Sequence, residues 1–285
     1  MNKNSKGIAY IVLAAFFFSL MTLFVRLAGD VPTMQKAFFR NSVAAVIALF
    51  LLIRSNEGIR IKKGSLKFLV LRASFGTMGL ILNFWAIDHL VLADANILNK
   101  LSPFFAMFMS IFILSEIPNT TEWMCLAAAF VGAVCVIKPT AGIACLPAVA
   151  GAISGFGAGC AYAFVRKLGK MGERGPVIVW FFSAFSTVVT LPFLIFDYHP
   201  MDMRQVVILL LAGISAAGGQ LSITAAYTYA PAREISVFDY SQVLFAAILG
   251  FAFFGEIPDA LSILGYAIII ATAVFKWRRA LKSTD

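Results

Sequence analysis

Among the ionisable side chains inside apolar stretches of this chain, three stand out: Arg40, Lys100 and Asp239. A charge placed in lipid costs about 2.5–3.5 kcal/mol on insertion scales, so such residues face a protein interior or a water-filled cavity. Two cations against one carboxylate leave a positive field, which favours an anionic or zwitterionic solute. Asn83, Trp85, Asn96, Asn99, Gln220, Ser236 and Tyr240 are the groups able to wall such a cavity or orient its occupant by hydrogen bonds. Asn96, Asn99, Lys100 and Pro103 recur at i, i+3, i+4 and i+7, one face of a helix. Pro103 also denies the carbonyl of Asn99 its usual donor. The same residues admit a second reading as a structural seam, with Asp88 or Asp94 neutralising Arg40 and Lys100 while Asp239 pairs with Arg72.

Depth separates the charges. Arg40 and Lys100 each stand six residues inward from the outer ends of their segments, a depth of about 9 Å at 1.5 Å per residue. Asp239 stands at a similar height above the inner end of its own segment. Across a hydrocarbon core of about 30 Å, roughly 13 Å remain between Lys100 and Asp239, and the sequence predicts no direct salt bridge between them.

The elements that carry these residues are helices in lipid. Hydrophobic residues make up 61% of the 285, charged residues 13%, and the mean hydropathy is +0.90; a soluble domain carries about 25% charge. Apolar segments of spanning length fall near residues 7–27, 34–53, 68–87, 93–114, 122–137, 146–165, 176–196, 205–229, 235–254 and 261–277. They are continuous runs, without the alternation of a membrane barrel, so the expected fold class is an all-α membrane protein of ten transmembrane helices. The first segment follows Lys3 and Lys6 as a signal peptide would, but it has the length of a full span and reads as a helix.

The net charge of +9 follows membrane topology and does not indicate a nucleic-acid partner. With the N-terminus cytoplasmic, sixteen Lys and Arg residues fall in inner loops and tails, while only Arg26, Lys138 and Arg204 fall outside. The chain is therefore expected to be a multi-pass protein of the cell membrane with both termini cytoplasmic. Cys125, Cys135, Cys145 and Cys160 have neither zinc-site nor disulfide-framework spacing. No cofactor or metal is expected, and the partners expected are a small-molecule substrate and the lipid bilayer. A proton as coupling ion, for which Asp239 is the best titrating group, and a homodimer are both left open.

The chain also repeats itself. Phe24-Val25-Arg26 recurs as Phe164-Val165-Arg166 and Glu116-Ile117-Pro118 as Glu256-Ile257-Pro258, both at a lag of 140. At that lag Asn96, Asn99, Lys100 and Ser102 correspond to Ser236, Asp239, Tyr240 and Gln242. Five segments per copy, an odd number, put the second copy upside down, so the expected organisation is two inverted five-helix repeats, 1–139 and 140–285. Inverted repeats build two alternative openings onto one site near the bilayer midplane, and the two halves are expected to rock or bend about it. Gly151, Gly155 and Gly159 in the sixth segment, Gly213, Gly218 and Gly219 in the eighth, and Ala73, Gly76 and Gly79 in the third offer smooth faces for close helix contact.

Rival chemistry is sparse. His89 and Asp94 match the His-x4-Asp spacing that some acyltransferases use, with histidine as base and aspartate as orienter, so an intramembrane enzyme of that type is an alternative reading. No Gly-x4-Gly-Lys-[Ser/Thr] loop is present for nucleotide hydrolysis. Glu116 and Glu256, at helix boundaries, read as local hydrogen-bonding partners and are left outside the site.

Phe39-Arg40, Leu92-Ala93-Asp94-Ala95, Ser102-Pro103-Phe104 and Ser115-Glu116-Ile117-Pro118, echoed by Gly255-Glu256-Ile257-Pro258, carry a resemblance to the EamA family of the drug/metabolite transporter superfamily. The resemblance covers nearly the whole chain. It implies ten helices in two inverted repeats, a central cavity including Asn83, Lys100, Gln220 and Asp239, no covalent chemistry, and secondary transport of amino acids, other small metabolites or drugs. A cation or drug exporter relying on Asp239 and aromatic residues is a further alternative within the same fold. Val243 stands where the first copy has Pro103, a departure between the two halves.

Overall fold

The computed structural model describes residues 3–55, 57–89, 98–137 and 145–282. Among them regular structure is helical throughout: α1 (Lys3–Leu27), α2 (Thr33–Ile53), α3 (Leu66–His89), α4 (Ser102–Leu114), α5 (Thr120–Ile137), α6 (Cys145–Lys170), α7 (Gly175–Phe196), α8 (Met203–Tyr229), α9 (Ala232–Phe254) and α10 (Ala260–Lys282). Nine of these are long and apolar enough to cross a membrane, and α4 is a shorter apolar helix. Helices are the form in which an apolar chain closes its own backbone hydrogen bonds without water. The fold class expected from the sequence is the one observed.

The fourth and ninth helices differ from expectation in a way that matters for the site. The sequence predicts a run over 93–114; among the described residues of that run Leu98 and Asn99 are helical, Lys100 and Leu101 form a turn, and α4 runs on from Ser102 with Pro103 in its first turn, where no N–H is needed. Pro103 therefore stands just after a break in the helix. Asn96 lies outside the described residues. α9 is composite: a turn of α-helix at Ala232–Ile235, a 3₁₀ stretch at Ser236–Tyr240, then α-helix from Ser241 to Phe254. Both regular helices end on a residue with positive φ, Ser115 at 55° and Gly255 at 65°. These two residues are equivalent at the lag of 140, and each is followed by Glu-Ile-Pro.

Packing follows the repeat. α1 packs on α8 and α3 on α6; α4 packs on α6 and α9 on α1; α2 packs on α8 and α7 on α3. Each pair has its counterpart when every helix is exchanged for the one five places on, and α2 with α7 and α5 with α10 are pairs that map onto themselves. Small residues make the close approaches. A Cβ on Gly157 of α6 would lie 2.8 Å from the carbonyl oxygen of Phe75 on α3, and one on Gly159 would lie 2.8 Å from that of Ser102 on α4. α6 thus brings α3, which carries Arg72 and Asn83, and the first turn of α4, two residues after Lys100, to backbone contact. On the other side, a Cβ on Gly219 of α8 would lie 2.6 Å from the ring of Phe18 on α1. The junction at Lys138-Pro139-Thr140-Ala141-Gly142 lies outside the described residues.

Candidate functional site

The regular parts of α4 and α9 are 13 and 14 residues long, about 20 Å each at 1.5 Å per residue. Each is shorter than a hydrocarbon core of about 30 Å, and the residues just before the start of each meet in the interior of the bundle. Lys100 Nζ lies 2.9 Å from Asp239 Oδ2 and donates to Gln242 Oε1 at 2.7 Å. The hydroxyl of Tyr240 donates to the carbonyl oxygen of Lys100 at 2.9 Å. Residues equivalent at the lag therefore bind one another across the interface of the two copies.

This corrects the expectation that about 13 Å would keep Lys100 and Asp239 apart. That depth was counted along straight helices starting at the ends of the apolar runs. In the structure Lys100 sits in a turn between helical residues 98–99 and α4, the 3₁₀ stretch climbs about 2.0 Å per residue in place of 1.5, and the lysine ammonium reaches Asp239. The alternative pairing of Asp239 with Arg72 is not formed: Arg72 donates through Nη2 to Gln220 Oε1 at 3.1 Å and lies over the Phe182 ring at 3.8 Å.

Two cavities flank the Lys100 cluster. One, of about 180 Å³, is lined by Arg40, Arg72, Asn83, Asn99, Lys100, Gln220, Asp239 and Gln242, with Phe18, Met21, Phe84, Tyr162 and Phe182 among its apolar and aromatic walls. The other, of about 370 Å³, is lined by Thr22, Val136, Ala246, Glu256, Ser262 and Tyr266 and shares Asn99, Lys100 and Gln242 with the first. Lys100, with Asn99 and Gln242, thus stands between them, and Asp239 holds it from the side of the first.

Of the residues singled out from the sequence, Arg40, Asn83, Asn99, Lys100, Gln220 and Asp239 come together on the first cavity. Tyr240 and Ser236 are buried in the 3₁₀ stretch beneath it and do not line it. Trp85 lies against His89 instead, with ring centroids 4.4 Å apart. Asn96 falls outside the described residues, as does Asp94, the aspartate of the acyltransferase spacing; His89 Nδ1 lies 2.9 Å from the carbonyl oxygen of Trp85. Arg72 and Gln242 were not singled out. Arg72 was visible as a cation inside the third segment, and Gln242 as the repeat partner of Ser102, but only the fold turns both onto the same cavity.

The repeated tripeptides also meet. Glu116 of the first copy accepts from Arg166 and Lys170 of the second at 3.1 and 2.7 Å, and Arg166 also donates to the carbonyl oxygen of Thr228. Glu256 of the second copy accepts from Arg26 of the first at 2.6 Å. These two bridges occupy opposite ends of the bundle. The glutamates, expected as local partners, are long-range ones. The bridges differ in exposure: the Arg166 and Glu116 side chains are 13% and 12% exposed, those of Arg26 and Glu256 52% and 53%. The bridge at one end is largely buried, and that at the other, where the larger cavity reaches Glu256, is exposed to solvent.

The model of the EamA-like transporter family matches this chain twice, over residues 5–138 and 146–277. The chain belongs to the EamA-like transporter family. Its relatives within that family include the pseudopaline exporter CntI of Pseudomonas aeruginosa, 32% identical over 94% of each chain. Another is solute carrier family 35 member G1 of Homo sapiens, 25% identical over 97% of this chain and 81% of the relative. A solved crystal structure superimposes with a TM-score of 0.83 at 16% identity, covering 94% of this chain and 95% of its own, and so shares the fold. The EamA-like chain is accordingly a multi-pass membrane protein, and its named relatives are transporters.

Proposed function

We propose that this protein is a secondary transporter of a small polar metabolite, an amino acid or an organic anion or zwitterion, working by alternating access. The observation that carries the proposal is Lys100 standing with Gln242 between two cavities and paired with Asp239 on the side of the first. An ion pair is a partition that a solute can open, because a carboxylate can take the place of Asp239 on Lys100 and an ammonium the place of Lys100 on Asp239. The first cavity, at about 180 Å³, is below the roughly 300–1,000 Å³ of drug-sized pockets and suits a metabolite of amino-acid size.

In this reading residues 1–139 and 140–285 are inverted repeats, both termini face the cytoplasm, and the membrane is the cell membrane. Arg166 with Glu116 closes the cytoplasmic end while Arg26 with Glu256 loosens the outer one; the reverse arrangement exposes the site inward. Because the extensive packing pairs join the two copies, the moving bodies are bundles drawn from both halves. The transporter names of the relatives support the class of activity, and the substrates in those names belong to those proteins.

The test is uptake by proteoliposomes holding the purified protein. Lys100→Ala is expected to reduce uptake of an anionic or zwitterionic substrate at least tenfold while the protein still purifies as a folded species. Uptake equal to that of the unsubstituted protein would remove Lys100 from the pathway.

A further inference from the structure

We infer that the cavity beside the Lys100 partition takes a doubly charged anion, held by the Arg40 and Arg72 guanidinium groups. The inference rests on the transporter reading and names the substrate class of that site.

Four charged side chains line the cavity: Arg40, Arg72, Lys100 and Asp239. Lys100 and Asp239 neutralise each other. Among the described residues the two guanidinium groups meet no carboxylate. Arg40 donates through Nε to the thioether of Met21 at 3.1 Å, and Arg72 through Nη2 to the Gln220 amide oxygen at 3.1 Å. Both acceptors are neutral, and a thioether is a weak one. Arg72 Nε is buried with no partner among the described residues. A buried and a half-buried guanidinium that meet no counter-ion among the described residues are an arrangement that a protein keeps when a ligand supplies the counter-charge.

Arg72 is also held as a binding group would be. Its guanidinium lies flat on the Phe182 ring, 3.8 Å from the centroid, and the space it occupies exists because residue 76 has no side chain. A Cβ on Gly76 would collide with Arg72 Nη1 and with the Phe182 ring. Arginine recognises carboxylate and phosphate alike through paired N–H donors, so the shared chemistry is a charge of two, carried on two carboxylates or on one phosphate.

The experiment measures binding to the purified full chain in detergent at low salt and pH 8, from the rise in unfolding temperature with ligand concentration. The probes are succinate, inorganic phosphate, butyrate, butyramide and choline, each also assayed in radiolabelled form for flux into proteoliposomes. Succinate or phosphate is expected to bind on the order of tenfold more tightly than butyrate, as one further charge-assisted pair implies, and butyramide and choline are expected not to bind. Whichever dianion binds better identifies two carboxylates or a phosphate. Arg72→Gln is expected to collapse the ratio of dianion to butyrate affinity towards one, a selectivity change that loss of packing alone would not give; Arg40→Gln makes the same test if that variant does not fold. Equal or tighter binding of butyrate, butyramide or choline, or no binding of either dianion, overturns the inference. Flux selective for a neutral or cationic probe would overturn it and leave the transporter reading standing. Tight dianion binding without flux of any probe would do the reverse.

Discussion

Replacing Asp239 by leucine tests the partition most directly. Lys100 would keep Gln242 as its only side-chain acceptor among the described residues and would face a cavity already lined by two guanidinium groups. The Lys100 and Asp239 side chains are 13% and 10% exposed, and breaking a buried pair by removing one partner costs about 3–5 kcal/mol. At about 2–4 °C per kcal/mol for a chain approaching this size, the unfolding temperature should fall by roughly 6–20 °C, nearer the lower figure because water can enter the cavity. Lys100→Met should cost less, since the carboxylate left behind shares its cavity with Arg40 and Arg72. The double variant removes both charges and should recover most of the loss, because uncharged replacements of a buried pair are often neutral or better. All three should fail to transport. The assay is thermal unfolding of purified protein in one detergent, followed by intrinsic fluorescence, for the four members of the cycle. Strictly additive losses would show that the two side chains are not coupled and would refute the argument.

The end bridges should respond unequally. Arg26→Ala, in the exposed bridge, is expected to change stability by about 0–1 kcal/mol, whereas Arg166→Ala should cost about 2–3 kcal/mol, below the full penalty of a broken buried pair because Lys170 still reaches Glu116; unfolding temperatures compare the two. Close packing predicts a second contrast. Gly159→Leu would place a Cβ 2.5 Å from that of Phe105 on α4 and should cost about 1–3 kcal/mol or prevent assembly. Gly175→Ala, whose Cβ would meet only the Thr224 methyl at 3.8 Å, should be within about 0.5 kcal/mol of neutral, as measured by yield and monodispersity on size exclusion.

The ten helices were legible because lipid leaves a chain few choices: uninterrupted apolar runs of spanning length have no other stable backbone. Boundaries agreed well where a run stops at a charge or a glycine, as at Ile137 before Lys138 in α5 or Phe254 before Gly255 in α9. Depth was not legible. The polar residues of the run 93–114 were plain, but nothing in its hydropathy marks the turn at Lys100 and Leu101, or residues 236–240 as 3₁₀, yet those two departures accompany the meeting of Lys100 and Asp239. Polarity located most of the cavity wall, because Asn83, Asn99 and Gln220 are conspicuous in apolar surroundings, but it also selected Trp85, which the fold turns towards His89. Arg72 was passed over because a cation counted along the sequence gives no indication that it will lie across Gly76 onto Phe182. The repeat was visible as two tripeptides; that each would supply the bridging partner of the other was a property of the folded pair alone.

The interleaving of the two copies bears on how the molecule is made. α1 finds its main neighbour in α8 and α3 in α6, so the helices synthesised first wait in the bilayer for companions that arrive half a chain later. Until then Arg40, Arg72 and Lys100, all in the leading copy, lack Gln220 and Asp239, which are in the trailing one. The nascent first half is therefore a positively charged, half-packed intermediate, and a ribosome that stalls after it leaves a substrate for membrane quality control.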